Sequence, residues 1–458
     1  MGLLRGLSGG TLESGGPAEP VPCSKGCTCL HDDDSGELNV YCSMCNLTQV
    51  PSDVPPSTRS LWLDGNLFTT LPADSFKDLS ELDFLNLQNG RLSTVDTQAF
   101  RGLRLLAHLH LERNELRSLP PSVFQNVPNL ASLSLHKNQL LRIEDRLFAG
   151  LSSLWLLNLG WNQLVVLPEM GFQDLHGLRE LVLAGNRLVY IQPQLFQGLA
   201  ELKELDLTAN SLKVIKANVF LTLPKLQKLY LAQNQIVTIA PRAFVGMKFL
   251  RWLDLTNNRL TALHDETFLG LSSLHVLRLS NNSIGGLRLR TFRDLQYLEE
   301  LRLSHNKIRV LGERIFEGLG HLEMLELDHN SVHEHVSWLD ISDNRIEALQ
   351  NGTFGLLPRL RYLNLNNNAL SSLPAEFPDS LDQLLLLGNH WRCDCTAKPL
   401  RNFIFAKPQV VPRQVGVLPE GEEPRTLVNI YNNITCRSPP GVAGMDLRDV
   451  HSKHFHDC

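Results

Sequence analysis

The sequence predicts a solenoid of the α/β type. Short strands, one per turn, lie side by side in a parallel sheet on the concave side of a horseshoe, and a disulfide-bonded cap closes each end. Three observations carry this. One asparagine recurs every 24 residues, at Asn66 and then at Asn114, Asn138, Asn162, Asn186, Asn210, Asn234, Asn258, Asn282, Asn306 and Asn330, with Gly90 once in its place. One phenylalanine keeps the same step from Phe76 to Phe316. All nine cysteines lie outside the repeats, Cys23, Cys27, Cys29, Cys42 and Cys45 before them and Cys393, Cys395, Cys436 and Cys458 after them.

The unit reads L-x-x-L-x-L-x-x-N-x-L, as at Leu202, Leu205, Leu207, Asn210 and Leu212. This is the signature of a leucine-rich repeat. Leu205 and Leu207 alternate with Glu204, Asp206 and Thr208, the periodicity of a strand with one buried face. Strands that recur only every 24 residues form no tight hairpins, so each returns through a crossover and pairs in parallel with its predecessor. The asparagine ends the strand and turns the chain inward, where its amide bonds backbone groups that a buried turn would leave unpaired. Leu212, Ile215, Phe220 and Leu223 line the rest of the core, and the phenylalanines stack as a spine on the convex side. A single repeat is not stable alone, so stability resides between repeats and both ends need caps.

The predicted order is a flexible segment over 1–22, a cysteine-rich cap over 23–56, repeats over 57–334, further repeats over 335–390 and a second cysteine-rich cap over 391–458. One unit is broken. Asn344 follows Asn330 by only 14 residues, whereas Asn368 and Asn389 follow at 24 and 21. The returning arm is missing there, and we expect exposed apolar surface and low stability near residues 325–345.

A net charge of −5 argues against nucleic acid as the main partner. No apolar run approaches the ~18 residues that span a bilayer, and the polar C-terminus lacks a lipid-anchor tail. Gly6 occupies the Ser/Thr position of a myristoylation motif. Against this, Met1–Pro22 has no apolar core of the kind a signal peptide carries. The cysteines at both ends imply an oxidising compartment all the same, and we weigh them above the missing signal. C-x3-C-x-C fits tetrahedral zinc poorly, and the tail of His451, His454, His456 and Cys458 reads as a polar end pinned by Cys458. No metal and no cofactor is expected. Asn46, Asn281, Asn351 and Asn433 open N-x-S/T sequons and are candidate glycosylation sites of a secreted glycoprotein. There is no G-x-S-x-G, H-E-x-x-H or phosphate-binding glycine loop, so an enzyme is not expected.

Function must then reside on the concave face. Its candidate partner-binding residues are Trp62, Glu112, Glu180, Glu204, Asp206, Tyr230, Trp252, Asp254, Glu300, Glu326 and Asp328, with Phe84, Trp338 and Tyr362 as further aromatics. Bases are fewer, mainly Lys228, Arg278 and Arg302. Aromatic anchors amid charge suit protein recognition, and surplus carboxylates suit a basic partner. His108, His110 and His136, with His305 and His329 further on, read as ordinary polar surface, although histidine as a residue type can make binding pH-sensitive.

The spacing C-x3-C-x-C-x12-C from Cys23 to Cys42 resembles the N-terminal cap of extracellular leucine-rich repeats, and W-x-C-x-C from Trp391 to Cys395 resembles their C-terminal cap. That resemblance implies the pairs Cys23–Cys29, Cys27–Cys42, Cys393–Cys436 and Cys395–Cys458. It leaves Cys45 as a free thiol, a competitor for Cys42 or an intermolecular link. The strings SLWLDGN, HLHLERNELRSL, LNLGWNQLVVLP, RELVLAGNRL, IKANVF, LQKLYL, RWLDL, YNNITC and DLRD resemble the acid-labile-subunit family of secreted leucine-rich repeat glycoproteins, from about Cys23 to Cys458. The resemblance implies a circulating protein that joins a preformed pair of insulin-like growth factor and its binding protein in a ternary complex and prolongs retention of the hormone. The family's fuller chains carry more repeats, which fits a deletion between Glu334 and His335. Val417-Leu418 and Glu422-Glu423 stand about where further cysteines are expected. The alternative is an adhesion or receptor-type ectodomain that recognises another extracellular protein.

Overall fold

In the computed structural model the described residues are 23–455 apart from 25, 289, 310–314, 317–318, 328, 331–337, 343, 345, 348, 350–353, 355–359, 374–376 and 418–427. The N-terminal cap is an antiparallel pair, Thr28–His31 with Leu38–Tyr41. Leu38–Tyr41 then pairs in parallel with Thr58–Trp62. From there three-residue strands stack in parallel up to Met324–Glu326, closing a 14-stranded sheet. The register has no stagger, so Leu181, Leu205 and Leu229 lie directly beside one another. Each of these central residues is fully buried while its two neighbours face outward.

The asparagines act as the motif implies. The Asn210 Nδ2 donates to the Leu183 and Leu207 carbonyls at 3.0 and 3.1 Å, and its Oδ1 accepts from the Leu188 N–H at 3.0 Å. Each buried amide therefore satisfies groups on its own turn and on the preceding one. On the opposite side the phenylalanines stack in sequence, Phe220 on Phe244 at 6.0 Å and Phe244 on Phe268 at 6.3 Å. The convex arms differ from the α/β expectation in detail. They are runs of turns with two-residue strand pairs such as Val214–Ile215 with Thr238–Ile239. Among the described residues the sole α-helix is Lys398–Ala406 in the C-terminal cap. An arm from a 24-residue unit that must also bury Ile215, Phe220 and Leu223 turns inward too often to hold a helix.

The sheet breaks where the repeat is short. Met324–Glu326 ends the first sheet, and Trp338–Asp340 begins a separate one with Tyr362–Asn364 and Gln383–Leu385. The core does not break, since Leu325, Leu327, Leu339 and Ile341 remain buried in one cluster. The expected apolar exposure is limited, among the described residues nearby, to Met324 at 39%. The hydrogen bonds explain this. Leu322 N–H donates to Asn344 Oδ1 at 3.1 Å and Glu347 N–H to the Glu323 carbonyl at 3.2 Å. These offsets of 22 and 24 residues match those of Ile308 with Asn330 and of Arg309 with Gly285. The coil keeps its length per turn, and the motif slips in phase instead.

Two outcomes follow. Asn210→Ala should cost about 2–4 kcal/mol in urea unfolding, because buried carbonyls lose their donors; Asn129→Ala, on an exposed amide that donates only to the Arg104 carbonyl, should cost less than about 1. Amides of Met324–Glu326 and Trp338–Asp340 should exchange with solvent roughly tenfold faster than those of Lys228–Tyr230, whose strand is paired on both sides.

Candidate functional site: the concave strand face

Because strands stack in register, outward side chains form rows along the sheet, separated by the strand spacing of ~4.8 Å. The first group is aromatic. Tyr41 stacks on Trp62 with ring centroids 4.4 Å apart, Trp62 meets Phe84 at 5.1 Å and Phe84 meets His110 at 5.2 Å. His110 Nδ1 pairs with Glu112 Oε1 at 3.0 Å. Burial alone would push the Glu112 carboxyl up, but hydrogen bonds from His110, its own backbone and Ser134, with the His110 charge, together hold the group below the usual range. Burial pushes the neighbouring His136 imidazole down.

The second group is acidic. Glu180 and Glu204 stand directly opposite each other on adjacent strands, with Val182 opposite Asp206. Like charges so placed repel. Burial, followed by the Glu204 charge, raises the Glu180 pKa above its ordinary value. Lys228 offers partial relief, with Nζ 3.0 Å from Glu204 Oε2, and that hydrogen bond raises the lysine in turn. One oxygen of Asp206 accepts the Thr208 N–H at 2.9 Å. Tyr230 borders the group, its phenol pushed up by burial and then by Glu204.

The third group is self-neutralised. Glu300 Oε1 accepts from Nε of Arg278 at 2.8 Å and also from Nε of Arg302. Arg302 Nη1 reaches Glu326 at 3.1 Å, and the Arg278 guanidinium lies 4.2 Å over the Trp252 ring. Asp254, Arg278, Arg302 and Glu326 line a basin of about 460 Å³. Sequence reasoning places Glu300, Glu326, Trp252 and Asp254 with the other recognition residues. The structure ties the two glutamates to arginines, whereas Glu112 pairs with His110, Glu204 with Lys228, and Asp206 and Asp254 each accept a backbone N–H two residues on. Tyr41, in the cap, is the residue the sequence reading missed; its alternation with buried Val40 and Cys42 was the available signal.

Asp328, Asn351 and Cys458 lie outside the described residues, so the pair Cys395–Cys458 does too. The other three disulfides, Cys23–Cys29, Cys27–Cys42 and Cys393–Cys436, are formed as the cap resemblance implies. Cys45 is a free thiol with Sγ 3.0 Å from the Gly26 carbonyl. Asn46, Asn281 and Asn433 are exposed. No group of three metal-binding side chains occurs among the described residues, and none of their helices is long and apolar enough to cross a membrane.

Strands, asparagine ladder and phenylalanine spine together define a leucine-rich repeat scaffold. The chain belongs to the leucine-rich repeat family, whose model matches residues 56–116, 104–164, 162–212, 200–260, 249–296, 272–332 and 334–390. Locally it is 56% identical over 71 residues to the insulin-like growth factor-binding protein complex acid labile subunit of Rattus norvegicus, covering 16% of this chain and 12% of that protein. The Homo sapiens protein of the same name is 48% identical over 84 residues, 18% of this chain and 14% of its own length. Leucine-rich repeat-containing protein 3B of Bos taurus is 46% identical over 81 residues, 18% of this chain and 30% of its own length. These matches thus span a small part of each relative. Among solved structures, a Leptospira interrogans leucine-rich repeat protein superposes with a TM-score of 0.58 at 28% identity, covering 80% of this chain and 93% of that one. The plant peptide hormone receptor RGFR1, solved in complex with RGF2, does so at 0.50 and 25% identity, covering 76% and 58%.

The Glu180 carboxylate supplies a prediction whose sign is fixed. Its folded-state pKa is raised, so the ionised group opposes folding; that cost is present above the raised value and vanishes as pH falls below the unfolded value. Glu180→Gln should therefore raise the urea midpoint at pH 7 and lose this advantage towards pH 4. In carboxyl-resolved NMR, Glu204→Gln should bring the Glu180 titration down.

Proposed function

We propose that this chain is a secreted, non-enzymatic binding protein whose acidic concave strip receives a basic segment of a polypeptide, and that this partner is the preformed pair of an insulin-like growth factor and its binding protein. The observation that carries the reading is the in-register pair of Glu180 and Glu204, with Asp206 beside them and Lys228 as the nearest base. A fold gains nothing from two carboxylates forced together at a strand interface, whereas a cationic ligand turns their repulsion into attraction. The local similarity to relatives named as acid labile subunits supports this choice of partner. Cap disulfides, exposed sequon asparagines and the absence of a membrane-crossing helix among the described residues suit an extracellular setting. The ternary complex would act by stoichiometric binding and hold the hormone in the circulation; glycans at Asn46, Asn281, Asn351 and Asn433 would keep their surroundings in water.

Co-precipitation of growth factor and binding protein together, against each alone, tests the partner. Retention of the pair only is the expected result, and capture of neither points to a different extracellular protein. On the charge mechanism, raising salt from 0.05 to 0.5 M, roughly 14 to 4 Å in screening length, should weaken the complex. Glu204→Lys with Asp206→Lys should slow association by about tenfold or more. An affinity indifferent to salt would sink the acidic-strip mechanism. Because a bound cation favours ionised Glu180, affinity should also fall as pH drops through its raised pKa.

A further inference from the structure

We propose that the row Tyr41, Trp62, Phe84 and His110 is a second subsite on the concave face, and that it takes an apolar side chain from the same polypeptide segment whose basic residues meet Glu180, Glu204 and Asp206. The inference rests on the polypeptide-binding reading above and adds the layout of the ligand.

The rings are not core. Val40, Leu61, Leu85 and Leu109, on the same strands, supply the core from the opposite face and are fully buried. Tyr41 is 38% exposed, and Trp62, Phe84 and His110 are half-buried. Four neighbouring strands thus present a continuous aromatic surface to solvent, the kind of rigid surface that anchors a partner's side chain. One border is acidic: Asp64, which accepts a hydrogen bond from Ser43 at 2.6 Å, and Glu112 stand two residues beyond Trp62 and His110 on their in-register strands, so a cationic segment is favoured here as well.

Between this row and the acids lie two strands, Ser132–Ser134 and Leu156–Asn158, with no charge in their outward positions Ser132, Ser134, Leu156 and Asn158. Ser132 and Ser134 are buried, so they form a low saddle that a backbone can cross. The His108–His110 strand is three steps from Glu180–Val182, about 14 Å at the ordinary strand spacing. An extended chain covers that in about four or five residues. The occupant is therefore one extended segment with an apolar anchor, an uncharged spacer of about four residues and then a basic cluster.

The test titrates the full chain with three synthetic peptides. One carries a lysine–arginine cluster alone, one adds Trp-Leu separated from it by four Gly/Ser residues, and one adds Trp-Leu directly adjacent. The spaced peptide should bind about tenfold tighter than the basic one, the gain typical of an anchoring contact, and the adjacent peptide should gain little. Phe84→Ala and His110→Ala should each abolish the gain and leave the basic peptide unaffected. His110 faces outward on the strand nearest the acids, so it serves if the Phe84 variant fails to fold. Salt should weaken all three peptides alike. Equal affinity of spaced and basic peptides overturns the subsite and leaves the acidic strip standing. A gain that survives both variants overturns it too, and binding of no peptide removes both readings.

Discussion

Among the described residues, each turn of the ladder but the one at Gly90 depends on one interaction, the buried asparagine amide that serves two adjacent coils at once. A chain that bends into its own core leaves carbonyls and N–H groups away from water, and each is costly unless paired. Asn210 meets carbonyls on its own turn and on the previous one, and accepts the N–H of Leu188. The same set recurs at Asn234, Asn258, Asn282 and Asn306. These bonds fix how far one coil sits from the next and forbid any stagger between strands.

Zero stagger has a chemical consequence. A residue at a given strand position lies beside its counterpart 24 residues away, whatever the two charges are. Glu180 then faces Glu204, and Glu204 faces Lys228. Further along, Arg278 faces Arg302 in the register, yet that repulsion is cancelled because Glu300 receives both guanidiniums. Two regions that look alike in composition thus differ in availability. One retains repelling carboxylates with a single lysine, and the other is closed on itself with Trp252 under an arginine. Only the first keeps like charges side by side without an arginine between them.

The repeats, the spine and the concave positions were legible because each follows from a period, and a period survives whatever the neighbours are. Cys23–Cys29 and Cys27–Cys42 were legible through the resemblance of the cap. What the sequence did not disclose depends on side-chain geometry across coils. Nothing in the spacing of Glu300 and Arg302 says that one carboxylate would hold two arginines, and nothing in Glu204 says that Lys228 would turn towards it. Tyr41 was hidden because its strand lies in the cap, outside the frame that ordered the rest. The convex arms read as crossovers, but their turns follow from how often Ile215, Phe220 and Leu223 must point inward.

The shortened unit shows which constraint wins when two conflict. Keeping the motif in line would have placed Trp338–Asp340 beside Met324–Glu326 and left a coil ten residues short of the usual 24. Such a coil cannot encircle the core. Keeping the coil length costs only one interrupted strand pairing, and the core stays closed around Leu327 and Leu339. Burial of leucine along the whole coil outweighs three residues of sheet pairing, so the phase of the motif gave way. The second sheet, with Tyr362 beside Asp340 and its phenol pushed up to about 12 by burial and then by that charge, is consequently not an extension of the rows that begin at Tyr41 and Trp62. A ligand that tracks those rows runs out of sheet at Met324–Glu326. Any contact it makes with Trp338–Asp340 or Tyr362–Asn364 is made with a second, separate sheet.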